Sequence, residues 1–247
     1  MFKKYGDTPA LVLHGGPGAI GSARSLAREL GAIEVLNYGS SIQEQLDEIH
    51  DAVEEMKIEE PIIIGHSWGA WLAVLYAAQY PVKKVVLIGC GAFDEKYLGQ
   101  MQKRRMGKLS EKEQAKADEY FQQLNSGKLK ELSEFNRLMS KMDAYEMISH
   151  DDLDCFDFEG HGKLMNEIRP MRKSGQLLEK AKAISCQLIL FHGLDDPHPV
   201  EGIVEPFDKA GIVYKLLTFE KCGHTPWHEK HAKEAFMKML KNELEIE

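Results

Sequence analysis

The sequence predicts an α/β architecture: a mostly parallel sheet of about six strands, helices on both of its faces, and an inserted helical cap. Two observations carry that prediction. Short β-branched or leucine-rich runs alternate with longer helical patterns, the signature of strands joined by crossover helices. The alternation is interrupted between residues 94 and 170, where a stretch rich in Lys, Glu, Gln and Met reads as amphipathic helices with no strand pattern. The expected division is therefore a core of residues 1–93 and 171–247 with residues 94–170 as cap or lid. A chain of 247 residues suffices for one such domain with an insertion.

Six segments read as strands: Ala10–His14, Ala32–Asn37, Pro61–Gly65, Lys84–Gly89, Cys186–His192 and Tyr214–Phe219. Each is apolar enough to be buried on both faces, as central parallel strands are. The clearest helix runs from about Ser41 to Met56, where Ile42, Leu46, Ile49 and Val53 form one apolar stripe. Ser41 is its expected N-cap, with Glu44 as capping-box partner. The helix that begins at Trp68 is apolar nearly all round, so it should be buried against the sheet, and it stops near Pro81.

Composition narrows the function classes. Apolar residues at 43% and charged residues at 28% are the balance of an ordinary globular protein. A formal net charge of −8 repels phosphate backbones and anionic lipid, which argues against nucleic acid and membrane surfaces as partners. A small molecule or short peptide fits better as substrate; nothing in the sequence selects an oligomeric state. Cys90, Cys155, Cys186 and Cys222 form no C-x-x-C pair and read as buried free thiols. The apolar stretch Ala10–Leu13 is too short for a signal-peptide core or a membrane span, so a cytoplasmic protein is expected.

The chemistry is written at strand ends. Strand Pro61–Gly65 runs into Gly65-His66-Ser67-Trp68-Gly69 and then a helix, so G-x-S-x-G occupies a strand-turn-helix junction. A turn this sharp strains the central serine and tolerates no side chain two residues to either side, where Gly65 and Gly69 stand. Ser67 is thereby raised above the strand ends at the positive end of a helix dipole. A serine hydroxyl needs a base, and the base needs a carboxylate. The strand ending at His192 is followed by Asp195 and Asp196, and the strand ending at Phe219 by His224, giving the chain order Ser, Asp, His. His14-Gly15-Gly16-Pro17-Gly18 after the first apolar strand supplies a glycine-rich loop, and the N–H groups of Gly16 and Trp68 are the expected oxyanion donors. His14, Gly15, His66 and Trp71 are candidates for the pocket wall, with buried packing the default role of Trp71. No metal or organic cofactor is required.

With those motifs in place, the chain resembles an α/β-hydrolase, and HGGPG together with G-x-S-W-G is most similar to the proline iminopeptidase branch. The resemblance runs from Leu11 to the C-terminal helix. It maps the family's G-x-x-D onto Gly193 and Asp196, selecting Asp196 over Asp195, and its G-H onto Gly223 and His224. It also implies that residues 94–170 form a lid. Two departures stand out: the Asp-x-Arg-Gly-x-Gly segment usual in iminopeptidases is missing after Asn37, and the two opening antiparallel strands are lost or reduced to Phe2–Tyr5.

Competing patterns were weighed on the same terms. Gly16-Pro17-Gly18-Ala19-Ile20-Gly21 satisfies the dinucleotide fingerprint, and Tyr80 with Lys84 matches a dehydrogenase spacing. Asn37 in place of an acidic ribose ligand and the helix-breaking Pro81 count against an NAD(P)-dependent oxidoreductase. His228-Glu229-Lys230-His231 has the wrong spacing for a zinc helix and reads as a solvated first turn of the C-terminal helix. The run Lys103-Arg104-Arg105 and the acids Asp151, Asp152, Asp154 and Asp157 read as solvated faces of the cap. A small-molecule receptor with slow turnover is the alternative to a hydrolase.

Overall fold

The computed structural model describes residues 1–126, 128–129 and 132–246. Its first half alternates β1 (Phe2–Lys4), β2 (Ala10–Leu13), β3 (Ala19–Ile20), α1 (Arg24–Glu29), β4 (Ile33–Val35), α2 (Ile42–Met56), β5 (Ile62–His66), α3 (Trp68–Ala77) and β6 (Lys84–Ile88). Then come α4 (Leu98–Gly107), α5 (Glu111–Asn125), α6 (Leu132–Asp143), β7 (Cys155–Phe156), α7 (Phe158–Lys173) and α8 (Gln176–Lys182). The alternation resumes with β8 (Gln187–Gly193), α9 (Glu201–Ala210), β9 (Lys215–Phe219) and α10 (Lys233–Leu244).

The main sheet has seven strands in the order β1-β4-β2-β5-β6-β8-β9. All neighbours are parallel except β1, which pairs antiparallel with β4 through Phe2–Val35, Lys3–Glu34 and Lys4–Ile33. The expected six strands are thus joined by a seventh: one opening antiparallel strand survives. The strands β2, β5 and β6 are buried at every residue, as their unbroken apolar runs require. β9 departs from that expectation. It lies at the sheet edge with Lys215, Leu216 and Thr218 exposed, because an edge strand has a neighbour on one side only.

Two apolar layers sandwich the sheet. One gathers α2, α3 and α8 against Leu11, Leu13, Ile63, Val85 and Leu87; the other places α1 and α10 against Val12, Ile64, Val86 and Ile88. These two sets alternate along each strand, which is how a doubly covered sheet divides its side chains. The wholly apolar α3 is buried from Trp68 to Tyr76, so it lies inside the layer and not at its surface. Ser41 caps α2 as its sequence predicts: its side chain accepts from the Glu44 amide, and the Glu44 carboxylate accepts from the Ser41 amide.

Between β6 and β8 the chain builds a further apolar cluster from Leu109, Ala117, Tyr120, Phe135, Leu138 and Met142, separate from the two sheet layers. Two sequence expectations fail here. β7 is a short strand inside this stretch, pairing antiparallel with β3 (Ala19–Phe156, Ile20–Cys155). That pairing also disposes of the dinucleotide reading, since the glycine loop leads into β3 and a turn, and α1 begins only at Arg24. α7 runs past residue 170 to Lys173 and packs Leu164 and Ile168 into the sheet layer. Among the thiols, Cys90 and Cys222 are buried, Cys186 is half-buried and Cys155 is exposed, so the expectation of buried thiols holds for two of the four.

The capping box gives a direct test of local stability. Ser41→Ala removes the acceptor for the Glu44 amide and should destabilise the protein by about 1 kcal/mol, read as a lowered urea midpoint with an unchanged slope.

Candidate active site

Ser67 sits between the last residue of β5 and the first of α3, and its backbone is held at φ 54°, ψ −110°. A non-glycine residue with positive φ is strained, and surrounding structure must hold it there. The glycines do so by permitting contact: a Cβ on Gly65 would fall 2.1 Å from the Gly69 carbonyl oxygen, and one on Gly69 would fall 2.5 Å from that of Leu13. The Ser67 amide donates to the Ile88 carbonyl at 2.9 Å and that of Gly69 to His14 at 3.1 Å, fixing the turn between β6 and β2. Although Ser67 occupies the N-cap position of α3, its side chain makes no capping hydrogen bond, so the hydroxyl is not spent on the helix.

His224 and Asp196 meet as their strand-end positions require. The His224 Nδ1–H donates to Asp196 Oδ2 at 2.8 Å, and Asp196 Oδ1 accepts from the His198 amide at 2.8 Å. Asp196, 1% exposed, is the buried acid, whereas Asp195 is half-buried and its amide is turned to the Cys222 carbonyl. The His66 Nε2–H donates to the His224 carbonyl at 3.0 Å, tying the residue before Ser67 to the histidine loop. Ser67 itself makes no hydrogen bond to His224 in this structure; the two side chains share the wall of one cavity.

Electrostatics separates the imidazoles. Burial pushes the His224 pKa down, but the field and hydrogen bond of Asp196 outweigh it and leave His224 raised above its ordinary value. Burial alone would raise the Asp196 carboxyl, and the His224 partnership holds it well below the usual carboxylate range instead. His66 has its pKa driven down to about 3, by burial first and by its neighbour His224 second. Burial likewise takes His198 well below its ordinary value. Of His66, His198 and His224, it is His224 whose ring is hydrogen-bonded to a carboxylate that can support its cation.

The cavity has a volume of about 1780 Å³. Gly15, Gly16, His66, Ser67, Trp68, Trp71 and His224 all line it. His14 does not: it is buried with Nδ1 donating to the Gly15 carbonyl at 3.0 Å, so the expectation of a pocket role is corrected to one of packing. The Gly16 and Trp68 amides donate to no backbone carbonyl among the described residues. Trp71 is 7% exposed and combines both expected roles, sharing the sheet layer while its Nε1–H donates to the Gly91 carbonyl at 3.2 Å. Among the described residues, one group of potential metal ligands occurs, Asp196, His198 and His224, with donor atoms within 4.8 Å of one another. Asp196 Oδ2 and His224 Nδ1 in that group are already committed to each other.

Three stretches expected to be solvated make specific contacts instead, and Arg105, Asp151 and Asp152 from them line the cavity. Arg105 makes a two-point ion pair with Asp143 at 2.7 and 2.9 Å, and Arg104 donates to the Asp196 carbonyl at 3.2 Å, leaving Lys103 exposed. Asp151 accepts from the Ser25 amide and hydroxyl, both at 2.8 Å, and from His228 Nε2 at 3.1 Å. Asp154 pairs with Lys3 and Arg24, and Asp157 caps α7 by accepting from the Gly160 amide; Asp152 and Asp154 are exposed as expected, whereas Asp151 and Asp157 are half-buried. His228 and Glu229 are buried and precede α10, which starts at Lys233. The Glu229 carboxylate, 0% exposed, accepts from the amides of Tyr145 (2.7 Å), Glu146 (2.7 Å) and Gly223 (2.9 Å). With the His224 amide donating to Asp143 at 2.8 Å, this carboxylate sews the segment after α6 to the histidine loop.

Sequence reading also passed over His198, whose ring stacks on His224 at 4.9 Å, and Arg172, a buried wall residue. The Asp196-Pro197 pair does signal the turn that brings His198 round, but no local pattern announces the stacking.

Comparison with known proteins decides the family. A profile of the alpha/beta hydrolase family matches residues 10–238. The chain belongs to the α/β-hydrolase family. A curated relative is the proline iminopeptidase of Heyndrickxia coagulans, 30% identical over 129 residues, which are 44% of this chain and 45% of that one. The match thus spans less than half the length of that relative. Among solved structures, this α/β-hydrolase resembles a monoacylglycerol lipase from Paleococcus ferrophilus (TM-score 0.61, 16% identity, 99% of this chain and 97% of that one). It also resembles a proline iminopeptidase from Mycobacterium smegmatis (TM-score 0.62, 15% identity, 99% and 93%). At such identities the structural likeness speaks for the fold, and the family places the chain among hydrolases. No helix among the described residues is long and apolar enough to cross a membrane.

Glu229 supplies this site's stability test. Glu229→Ala orphans the amides of Tyr145, Glu146 and Gly223, at about 1–3 kcal/mol for a donor left buried, as that of Gly223 would be. A loss of at least about 2 kcal/mol is expected in urea unfolding.

Proposed function

We propose that the protein is a serine hydrolase that cleaves an ester or amide of a small molecule or short peptide through an acyl-enzyme on Ser67. The observation that carries the reading is the His224–Asp196 hydrogen bond at 2.8 Å, buried beside a strained serine on the wall of the same cavity. His224 Nε2 takes the proton of Ser67 Oγ as that oxygen attacks the carbonyl carbon, and the imidazolium that forms is stabilised by Asp196. The oxyanion is held by the amides of Gly16 and Trp68, each worth about 3 kcal/mol in the transition state. His224 returns its proton to the leaving group, then activates water to release the acid and restore Ser67. The stretch 94–170 acts as a lid over this pocket, and Asp143, Glu229 and Arg105 anchor it beside the histidine loop.

A receptor with slow turnover draws support from one feature, the missing hydrogen bond between Ser67 and His224. Multiple-turnover hydrolysis of a panel of short and long esters and an N-terminal proline amide separates the two readings. A receptor would hold its ligand and release no more than one equivalent of product.

Ser67→Ala should abolish labelling by a fluorophosphonate probe, and equal labelling of both proteins would overturn the nucleophile assignment. Because His224 must be neutral to accept a proton and its pKa is raised, kcat/KM should fall as pH drops through a value above 6.5. Asp196→Asn removes the carboxylate responsible, so the acid limb should move to lower pH while kcat falls by roughly 10³- to 10⁴-fold.

A further inference from the structure

The cavity over Ser67 carries one buried charge that no ion pair answers. Arg172 on α7 is 7% exposed and lines the cavity, yet it forms no ion pair and no side-chain hydrogen bond among the described residues. Its Nε is fully buried without a partner. The guanidinium carbon lies 5.4 Å from the centre of the Trp71 ring, and Trp71 is four residues, about one helical turn, beyond the nucleophile. A cation–π contact of this kind returns only part of what desolvating a guanidinium costs, and buried charges are otherwise paired.

The neighbouring charges sharpen the point. Arg169, one turn earlier on α7, lines the same cavity, and its positive field acts on Arg172 together with burial to lower the Arg172 pKa; Glu95 opposes them from outside ion-pair distance. Of the other arginines on the wall, Arg105 is paired with Asp143 and Arg137 with Glu113 and Glu134, while Arg169 is exposed and solvated. The buried acids of the cavity are engaged as well, Asp143 by Arg105 and Asp151 by Ser25 and His228. Around these groups the wall is largely apolar, with Leu98, Met101, Phe121, Phe135, Met139 and Met165.

We propose that Arg172 is a specificity-determining residue that binds a carboxylate of the substrate, so that the preferred substrate is an apolar ester or amide bearing one negative charge near Trp71. A planar guanidinium with free Nη groups offers a carboxylate two parallel hydrogen bonds, and a single buried cation balances a single anionic charge. This assignment rests on the serine-hydrolase reading of the same pocket.

The test compares p-nitrophenyl monoesters of straight-chain dicarboxylic acids with neutral p-nitrophenyl esters of equal length. A second series places the carboxylate on the phenol leaving group, each member against its methyl ester. The wild type should prefer the charged member in at least one series, and Arg172→Met should reduce that ratio of kcat/KM by about tenfold or more, with Arg172→Lys restoring part of it. A role confined to packing against Trp71 would lower thermal stability and leave the ratio unmoved. Equal rates for charged and neutral esters in both series, with Ser67 still labelled by fluorophosphonate, would overturn the anion site and leave the hydrolase standing. If Ser67 does not label, calorimetry with free octanedioate decides independently: binding lost in Arg172→Met supports the site, and no binding to wild type refutes it.

Discussion

The turn at Ser67 is a constraint of backbone against backbone. Strand β5, the start of α3 and the end of β2 approach so closely that a single added carbon at Gly65 or Gly69 would lie inside a carbonyl oxygen. That closeness holds Ser67 at φ 54°, where a serine would not rest alone, and the burial of α3 from Trp68 to Tyr76 holds the turn in place. The strained residue thus depends on the most thoroughly packed helix in the molecule. Geometry, not side-chain chemistry, leaves the hydroxyl uncommitted at the head of the helix.

The histidine loop is fixed by a different means. It hangs from the edge strand β9, whose outer face is exposed, so the sheet alone gives it little support. Support comes from buried polar contacts: Glu229 to Gly223, His66 to the His224 carbonyl, and Asp196 to the ring itself. Because Glu229 also binds Tyr145 and Glu146, the segment following α6 shares a carboxylate with the loop that carries the imidazole. That segment and the histidine loop are joined through this side chain and through the His224 amide bonded to the Asp143 carbonyl.

Charge in the pocket follows a related division. Most ionised walls are neutralised in place, as with Arg105 and Asp143, which makes them struts. Arg172 stands apart because its desolvation is uncompensated. Function is set by the residues of a site and not by the fold that carries it, and an unbalanced wall residue is the kind of feature that sets selectivity.

Ser67, Asp196 and His224 were legible because their signals are local. A strand run into glycine, serine and glycine specifies a turn whatever lies elsewhere, and the acid and histidine follow their own strands in an order that topology brings together at neighbouring strand ends. The Ser41 capping box was legible for the same reason. The charged stretches were not. Arg105, Asp151, Glu229 and Arg172 occur in segments whose composition reads as solvent-facing, and their burial depends on partners 38 to 126 residues away for the first two, and 83, 84 and 6 residues away for Glu229. Backbone conformation is encoded in a few adjacent residues, so the sequence by itself determined the sheet, the turn at Ser67 and the His-Asp pair. Whether a charge faces water, a partner or an open pocket is settled only when distant segments pack, and that the tertiary structure alone decided.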